Sequence, residues 1–367
     1  MTTVAELEGK FHFIHITESL AAGVLKSVLQ LANAQISTNH QVTIQYLQRN
    51  DTPSPHDLQS LVPLAKFELI SKSNKLGLLI LFFKLLLQKN YREPKTYVHA
   101  HSSWGGFITR LAGQIRDIPN LYYTPHCYSF LRLDQSKYIT SLYKRIESFL
   151  ANSSQAKVIA CGESEAEIAI ELGTPRVILG CNFVSIPNTP IRVSSTSNVK
   201  IGNVGRLTIQ KNPQRLLAAK AHFPSNWQCV WFGDGDEKLR TALIQGGVLV
   251  SGWMSPDNAS KVYTNLDYLV MTSDWEGMPF SLIEAMAFGV IPIIWNFRGA
   301  NRIIQNGING FIVQRVEDFA NIIQELESDF VRKSSISNSA REYVIVNHNL
   351  DSISDNWPRF YDLVSQG

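Results

Sequence analysis

The stretch "DYLVMTSDWEGMPFSLIEAMAFGVIPIIW" (residues 267–295) decides the fold class. It opens on an apolar, β-rich run and crosses a polar Asp-Trp-Glu-Gly-Met-Pro turn. From Phe280 it continues as a helix that Gly289 stops, and it closes on a second apolar run. Two buried strands joined by a helix are a βαβ unit, the building block of parallel sheet.

Outward from this unit the same alternation repeats. "KIGNVG" (200), "QCVWFG" (228), "GVLVSGW" (247) and "GFIVQ" (310) complete one series of strands. An earlier series runs through "FHFIHI" (11), "VTIQYL" (42), "KFELI" (66), "TYVHAH" (96), "NLYYTPH" (120) and "KVIACG" (157). Between them "NTPIRVSSTSN" (188–198) is polar and aperiodic, as a linker is. The expected architecture is α/β: two Rossmann-like domains with parallel sheets, 1–188 and 199–349, facing each other across a cleft. Residues 350–367 carry a final helix, "SDNWPRFYDLVSQ", expected to pack back on the first domain. Ligands of open parallel sheets sit beyond the strand C-termini, so the chemistry is sought there.

Composition narrows the class. The chain has 367 residues, 44% of them hydrophobic, enough for about two domains on a prior of roughly 150 residues each. Its 34 basic and 31 acidic residues are dispersed and leave a net charge of +3, so nothing calls for a nucleic-acid partner. Cys127, Cys161, Cys181 and Cys229 form no CxxC and read as free thiols of a reducing compartment. The N-terminus carries charges where a signal peptide is apolar, and no apolar run approaches ~18 residues, so a soluble or peripheral cytoplasmic protein is expected. The stretch "KLGLLILFFKLLLQKNYREPK" (75–95) reads first as a crossover helix packed on the first sheet. The sharper alternative is a basic, apolar surface docking peripherally on the inner membrane.

Candidate chemistry clusters after the strands. The helix from Phe280 would offer the amides of Phe280, Ser281 and Leu282 to phosphate oxygens. Glu276 precedes it and Glu284 lies a turn inside, where both carboxylates can accept hydrogen bonds from hydroxyls. Polyol, phosphate, polyol is the pattern of a nucleotide sugar; the competing reading is two first-turn acids favourable to the helix dipole. Arg206 and Lys211, in "NVGRLTIQKNPQ", suit a diphosphate leaving group or are two solvated loop cations. Asp234 and Asp236 in "FGDGDE" form an Asp-x-Asp that could hold a divalent cation, but a tight Gly-Asp-Gly turn is favoured. Gly23 would let backbone approach a phosphate. His99 and His101 share a strand face, as packing residues do, and His126, just past a strand, is the better functional candidate. P-loop, HExxH and GxSxG motifs are missing from the sequence.

The ordered set "VGRLTIQKNPQRLLAA", "WFGDGDEKL", "VLVSGW", "SDWEGMPFSLIEAMAFGVIPI" and "NGINGFIV" resembles the C-terminal half of family 4 retaining glycosyltransferases of the GT-B fold, whose E-x7-E motif is matched by Glu276 and Glu284. In the first half, "HITESLAAGV", "YVHAHSSWGGFITRLAG" and "YYTPHCYSFLR" look like bacterial members that build capsule, exopolysaccharide or lipopolysaccharide. The resemblance implies transfer of a hexose from a nucleoside diphosphate sugar, UDP-linked, to a hydroxyl of a lipid-linked or polysaccharide acceptor, with retention, without metal and with no other cofactor. It assigns Arg206 and Lys211 to the donor diphosphate, Glu284 to the ribose and Glu276 to the transferred sugar. Gly277, Met278, Pro279 and Phe280 would contact that sugar through backbone, with Trp253 and Met254 near the base and Gly23 near the phosphates. His126 would face the donor sugar and steady its anomeric centre. The family's first-loop glycine pair is Ala22-Gly23 here, and Asn182 stands where an Asn-Gly turn is common. Competing readings are a sugar-nucleotide epimerase or phosphorylase of the same fold, and an inactive partner subunit of a glycan-assembly complex.

Overall fold

The computed structural model describes residues 9–72, 74–180, 182–188, 198–254 and 260–363. Cys181 and most of the expected linker lie outside them. The chain divides into two compact units: 1–131, 135–183 and 351–367 in the first, 132–134 and 184–350 in the second.

The first unit is built on seven parallel strands: β1 (His12–Thr17), β2 (Gln41–Leu47), β3 (Lys66–Ser71), β4 (Thr96–His101), β5 (Leu121–Thr124), β6 (Lys157–Ala160) and β7 (Val177–Leu179), in the order β3-β2-β1-β4-β5-β6-β7. The last strand was not anticipated; three residues of "VIL" are too short to show a period. The second unit has six: β8 (Lys200–Val204), β9 (Gln228–Phe232), β10 (Leu249–Val250), β11 (Tyr268–Met271), β12 (Ile291–Trp295) and β13 (Phe311–Val313), in the order β10-β9-β8-β11-β12-β13. In each sheet the chain winds outward one way, returns to the middle and winds the other way. The reversal leaves a crevice beyond the C-termini of β1 and β4 in the first unit, and of β8 and β11 in the second.

Strand periodicity sets the layers. Along β11, Leu269 and Met271 enter one core cluster, which the helices Phe280–Ala287 and Phe330–His348 help to build, while Tyr268 and Val270 enter another on the opposite face. In the first unit Ile14 and Ile16 of β1 pack on one face against Leu81 and Leu85 of the helix Asn74–Leu87. Phe13 faces the other way and meets Trp357 and Tyr361 edge-on at 5.2 and 5.0 Å. The terminal helix Ile353–Phe360 thus completes the core of the first unit, with Trp357 wholly buried and Lys157 paired to Asp362 at 3.0 Å. Among the described residues no helix is long and apolar enough to cross a membrane.

Candidate active site

The second unit's crevice is lined by the loops that follow β8 and β11. After Gly205 the β8 loop runs through Arg206 to a short 3-10 turn, Ile209–Lys211, and Asn212 then takes a left-handed backbone, φ +45°. Its side chain caps the helix Pro213–Lys220 by accepting from the Arg215 amide, 3.0 Å, and donates to Asp274 beyond β11, 3.1 Å. Asp274 in turn donates its amide to the Gln210 carbonyl, 2.9 Å, and the Thr272 hydroxyl donates to the Lys211 carbonyl, 2.8 Å. Arg215 adds an ion pair to Asp274 at 2.7 Å and lies 3.9 Å over the Trp295 ring. These bonds sew the two loops together and fix the position of Lys211.

Lys211 and Glu276 meet here. The ammonium lies 2.6 Å from the carboxylate, with the two side chains only 15% and 9% exposed. Gln210 steadies the same carboxylate, donating to its other oxygen at 3.4 Å and to the Trp275 carbonyl at 2.8 Å. A lysine and a glutamate 65 positions apart are thereby held as one charge-assisted pair beside the reversal point of the sheet. Arg206 is exposed at the loop's start.

The turn after β11 ends at Pro279, which precedes the helix Phe280–Ala287. The amide of Leu282 is not an open donor, contrary to the sequence expectation: it bonds the Pro279 carbonyl at 3.1 Å, because the helix tightens in its first turn. Phe280 and Ser281 occupy the terminus itself, beside Gly277. Glu284, one turn in, accepts a 2.8 Å hydrogen bond from the buried Tyr263 hydroxyl, and beside that carboxylate the phenol's proton is held well above the ordinary tyrosine range, burial being the larger cause. Met254, Met278 and Phe280 pack on the core cluster beneath this helix, while Trp253 is 66% exposed.

Asp234 and Asp236 both have partners within the protein. Asp236 caps the helix Glu237–Gln245, accepting from the amides of Lys238 and Leu239 at 2.9 and 3.1 Å, and Asp234 faces Arg240. The glycines around them are required by a close approach of two loops. A Cβ on Gly233 would stand 2.2 Å from the Gly205 carbonyl oxygen, and one on Gly235 2.4 Å from that of Leu207.

In the first unit the residue with the unusual backbone after β1 is Ala22, φ +49°, rather than Gly23, which sits exposed in the first turn of the helix Ala22–Ser37. His126 and Cys127, beyond β5, are both left-handed, φ +54° and +90°. The strain is held by Glu165, whose carboxylate accepts the Cys127 and Cys161 amides at 2.7 Å each and whose burial raises its pKa. Burial also lowers the His126 imidazole to about 3. Tyr263, Arg215, Asp274 and Glu165 escaped the reading of the sequence. Asn212-Pro213 was the one local signal, an N-cap followed by a proline.

Comparison with known proteins places these units. Residues 21–186 match the family model described as Glycosyltransferase Family 4, and residues 189–343 that described as Glycosyl transferases group 1. An Escherichia coli UDP-Gal:alpha-D-GlcNAc-diphosphoundecaprenol alpha-1,3-galactosyltransferase is 25% identical over 76% of this chain and 78% of its own length. A Staphylococcus aureus poly(ribitol-phosphate) alpha-N-acetylglucosaminyltransferase is 22% identical over 61% of this chain, which spans about half of that protein, 48%. Among solved structures, Anabaena HepE in complex with UDP-glucose superposes with a TM-score of 0.79 at 18% identity, covering 96% of this chain and all of that one.

Proposed function

Because the chain belongs to the glycosyltransferases that join a family 4 domain to a group 1 domain, we propose that it moves a hexose from a nucleoside diphosphate sugar, UDP-linked, to a hydroxyl of a lipid-linked or polysaccharide acceptor, retaining the anomeric configuration. The observation that carries this reading is the Lys211–Glu276 pair, held at the reversal point of a parallel sheet and beside a helix N-terminus that presents Glu284 one turn in. The pair supplies the two complementary partners such a donor needs.

In this proposal the donor opens the pair. Lys211, with Arg206, turns to the diphosphate and neutralises the charge that grows on it as the glycosidic bond breaks. Glu276, released, accepts hydrogen bonds from hydroxyls of the transferred hexose, and Glu284, oriented by Tyr263, accepts those of the ribose. Gly277 to Ser281 contact sugar and phosphate through backbone, and Trp253 and Met254 flank the base. The departing phosphate takes the acceptor's proton on the face it leaves, so no side chain is asked to act as nucleophile. The first unit carries the acceptor, and it contributes Gly23 and His126, the latter steadying the anomeric centre. No metal or cofactor takes part, and turnover in EDTA equal to that without it is the expected result. The place of action is the cytoplasmic face of the membrane, through the helix Asn74–Leu87, whose Leu76, Leu79, Phe83 and Leu87 are exposed beside Lys89 and Arg92. Co-sedimentation with anionic vesicles tests that contact.

The deciding experiment supplies a panel of nucleoside diphosphate hexoses with undecaprenyl-diphosphate-linked acceptors and follows nucleotide release and product configuration. Conversion of the donor without acceptor would assign an epimerase instead. Release of a sugar 1-phosphate from the glycan by inorganic phosphate, with the nucleoside diphosphate hexose untouched and no free nucleotide formed, would assign a phosphorylase. No binding of any nucleoside diphosphate in calorimetry would assign an inactive partner subunit.

A further inference from the structure

In the first unit, the ends of β1 and β4 carry imidazoles that the proposed transfer leaves without a role. His15 on β1 and His99 and His101 on β4 are at most 1% exposed, and His126 lies partly buried just beyond β5. Five side chains there form a line with His126 in it. The Gln35 amide oxygen is 2.9 Å from His15 Nε2, and His15 Nδ1 is 3.0 Å from His101 Nε2. His101 Nδ1 is 3.0 Å from His126 Nε2, and His126 Nδ1 is 3.4 Å from Cys161 Sγ.

A neutral imidazole has one donor and one acceptor, so one end of such a line sets the direction of all of it. The Gln35 oxygen only accepts, which puts the His15 proton on Nε2 and makes its Nδ1 the acceptor for His101. By the same step His101 and His126 are each protonated on Nε2, which leaves His126 Nδ1 an acceptor facing the Cys161 thiol, a group that also lies against the Glu165 carboxylate. His99 is fixed separately. The Thr124 hydroxyl donates to the Ile159 carbonyl, 2.8 Å, and so accepts from His99 Nε2, 2.8 Å, while the Tyr361 hydroxyl donates to His99 Nδ1, 2.7 Å. The nitrogens of His15, His99 and His101 lie close enough for a shared cation, within 4.8 Å of one another. All six of those ring nitrogens, however, have a protein partner, so hydrogen bonding accounts for the cluster without a metal.

We infer that Gln35, His15, His101 and Cys161 are positioning residues for His126. The line fixes one tautomer and one ring orientation at the strained turn, and it occupies both ring nitrogens, so His126 is held in place and carries no proton in transfer. The inference rests on the part proposed above for His126 in that reaction, so its test needs a readout that substrate does not enter.

Nitrogen-15 spectra of histidine-labelled full-length protein give that readout. Protonation of His15, His101 and His126 on Nε2 alone is expected, with His101→Phe turning His126 into a mixture of tautomers. A wild-type His126 protonated on Nδ1, or averaging over both nitrogens, overturns the inference whatever the activity. In kinetics, His101→Phe and His126→Ala should each lower kcat about 10- to 100-fold with donor KM nearly unchanged, and the double variant should fall no further than the worse single one. Losses that multiply overturn the inference. Should His101→Phe melt too early to assay, Cys161→Ser, which keeps a donor, should hold the wild-type kcat that Cys161→Ala loses, and equal kcat in both overturns it. Stoichiometric zinc should leave the melting temperature where it is; a rise of several degrees would assign the cluster to a metal instead. Wild-type protein without transfer activity would defeat the proposed function, while the spectra would still decide the line.

Discussion

The two units share a strand order but fill the same topological position with opposite chemistry. At the ends of β1 and β4 the clustered groups are imidazoles, neutral, largely buried and bonded to one another. At the ends of β8 and β11 they are ions, partly open to solvent, and they neutralise each other across two loops. A neutral network in which every ring nitrogen has a protein partner holds a geometry. An ion pair at a crevice can exchange its partners for ligand groups, Lys211 its carboxylate for a phosphate and Glu276 its ammonium for hydroxyls, as the proposed donor recognition requires.

The largest test of that contrast is Lys211→Ala. Removing the cation should lower kcat/KM for transfer about 10²- to 10³-fold, the usual size for loss of one group that meets developing charge. It should also destabilise the second unit by up to about 3–5 kcal/mol, because the Glu276 carboxylate is left mostly buried and unpaired. Pairing Lys211→Met with Glu276→Leu should return the melting temperature and leave transfer abolished. A single Lys211→Ala variant with wild-type turnover and melting would erase the distinction between the units. Trp357→Ala probes the other side: about 3–5 kcal/mol of stability lost from the first unit, seen in calorimetry as an earlier first transition, with UDP-sugar binding unchanged in isothermal titration.

Acid separates the units more gently. Burial lowers His15 to about 4, His126 to about 3, and His99 and His101 well below their ordinary value. Each therefore takes up a proton in the unfolded chain before the folded one, so stability is full above about pH 6.5 and falls as pH drops towards the folded values, by about 1.4 kcal/mol per pH unit per histidine. Glu18 and Glu165, raised by burial, act in the opposite direction above pH 4.5, but they are two against six, since burial also lowers His12 and His40. The strong shifts of the second unit belong to Tyr263, Tyr268 and Cys229, which titrate only in alkali. Between pH 7 and 5 the melting transition of the first unit should fall and that of the second move much less; parallel shifts would contradict the assignment of the imidazole cluster to the first unit.

The fold was legible because buried parallel strands leave long apolar runs and helices leave stops. "VIL" of β7 was lost only because three residues carry no pattern. The spaced glutamates, the two loop cations and the Gly-Asp-Gly turn were legible because chemistry and turn geometry restrict residue type locally. What was not legible is who meets whom. Lys211 on Glu276, Tyr263 on Glu284 and Gln35 on His15 join positions 65, 21 and 20 apart, distances set by the strand order. His99 and His101 read as packing residues for the right reason, their shared strand face, yet His101 is also bonded to His126, a link no single strand displays.

The finest test concerns that kind of link within the donor crevice. Tyr263→Phe removes one hydroxyl that donates to Glu284 and leaves the ring, wholly buried against Phe288, in place. A hydrogen bond to a charged group contributes about 1.5–3 kcal/mol at most, and Glu284 keeps access to water, so the expected effect is nearer the lower end. If Glu284 serves the ribose, the loss appears as a roughly 5- to 10-fold rise in donor KM with kcat held, since the ribose is bound equally before and during transfer. A fall in kcat with donor KM unchanged would instead put Glu284 against the reacting sugar, and with it would reverse the roles proposed for the two glutamates.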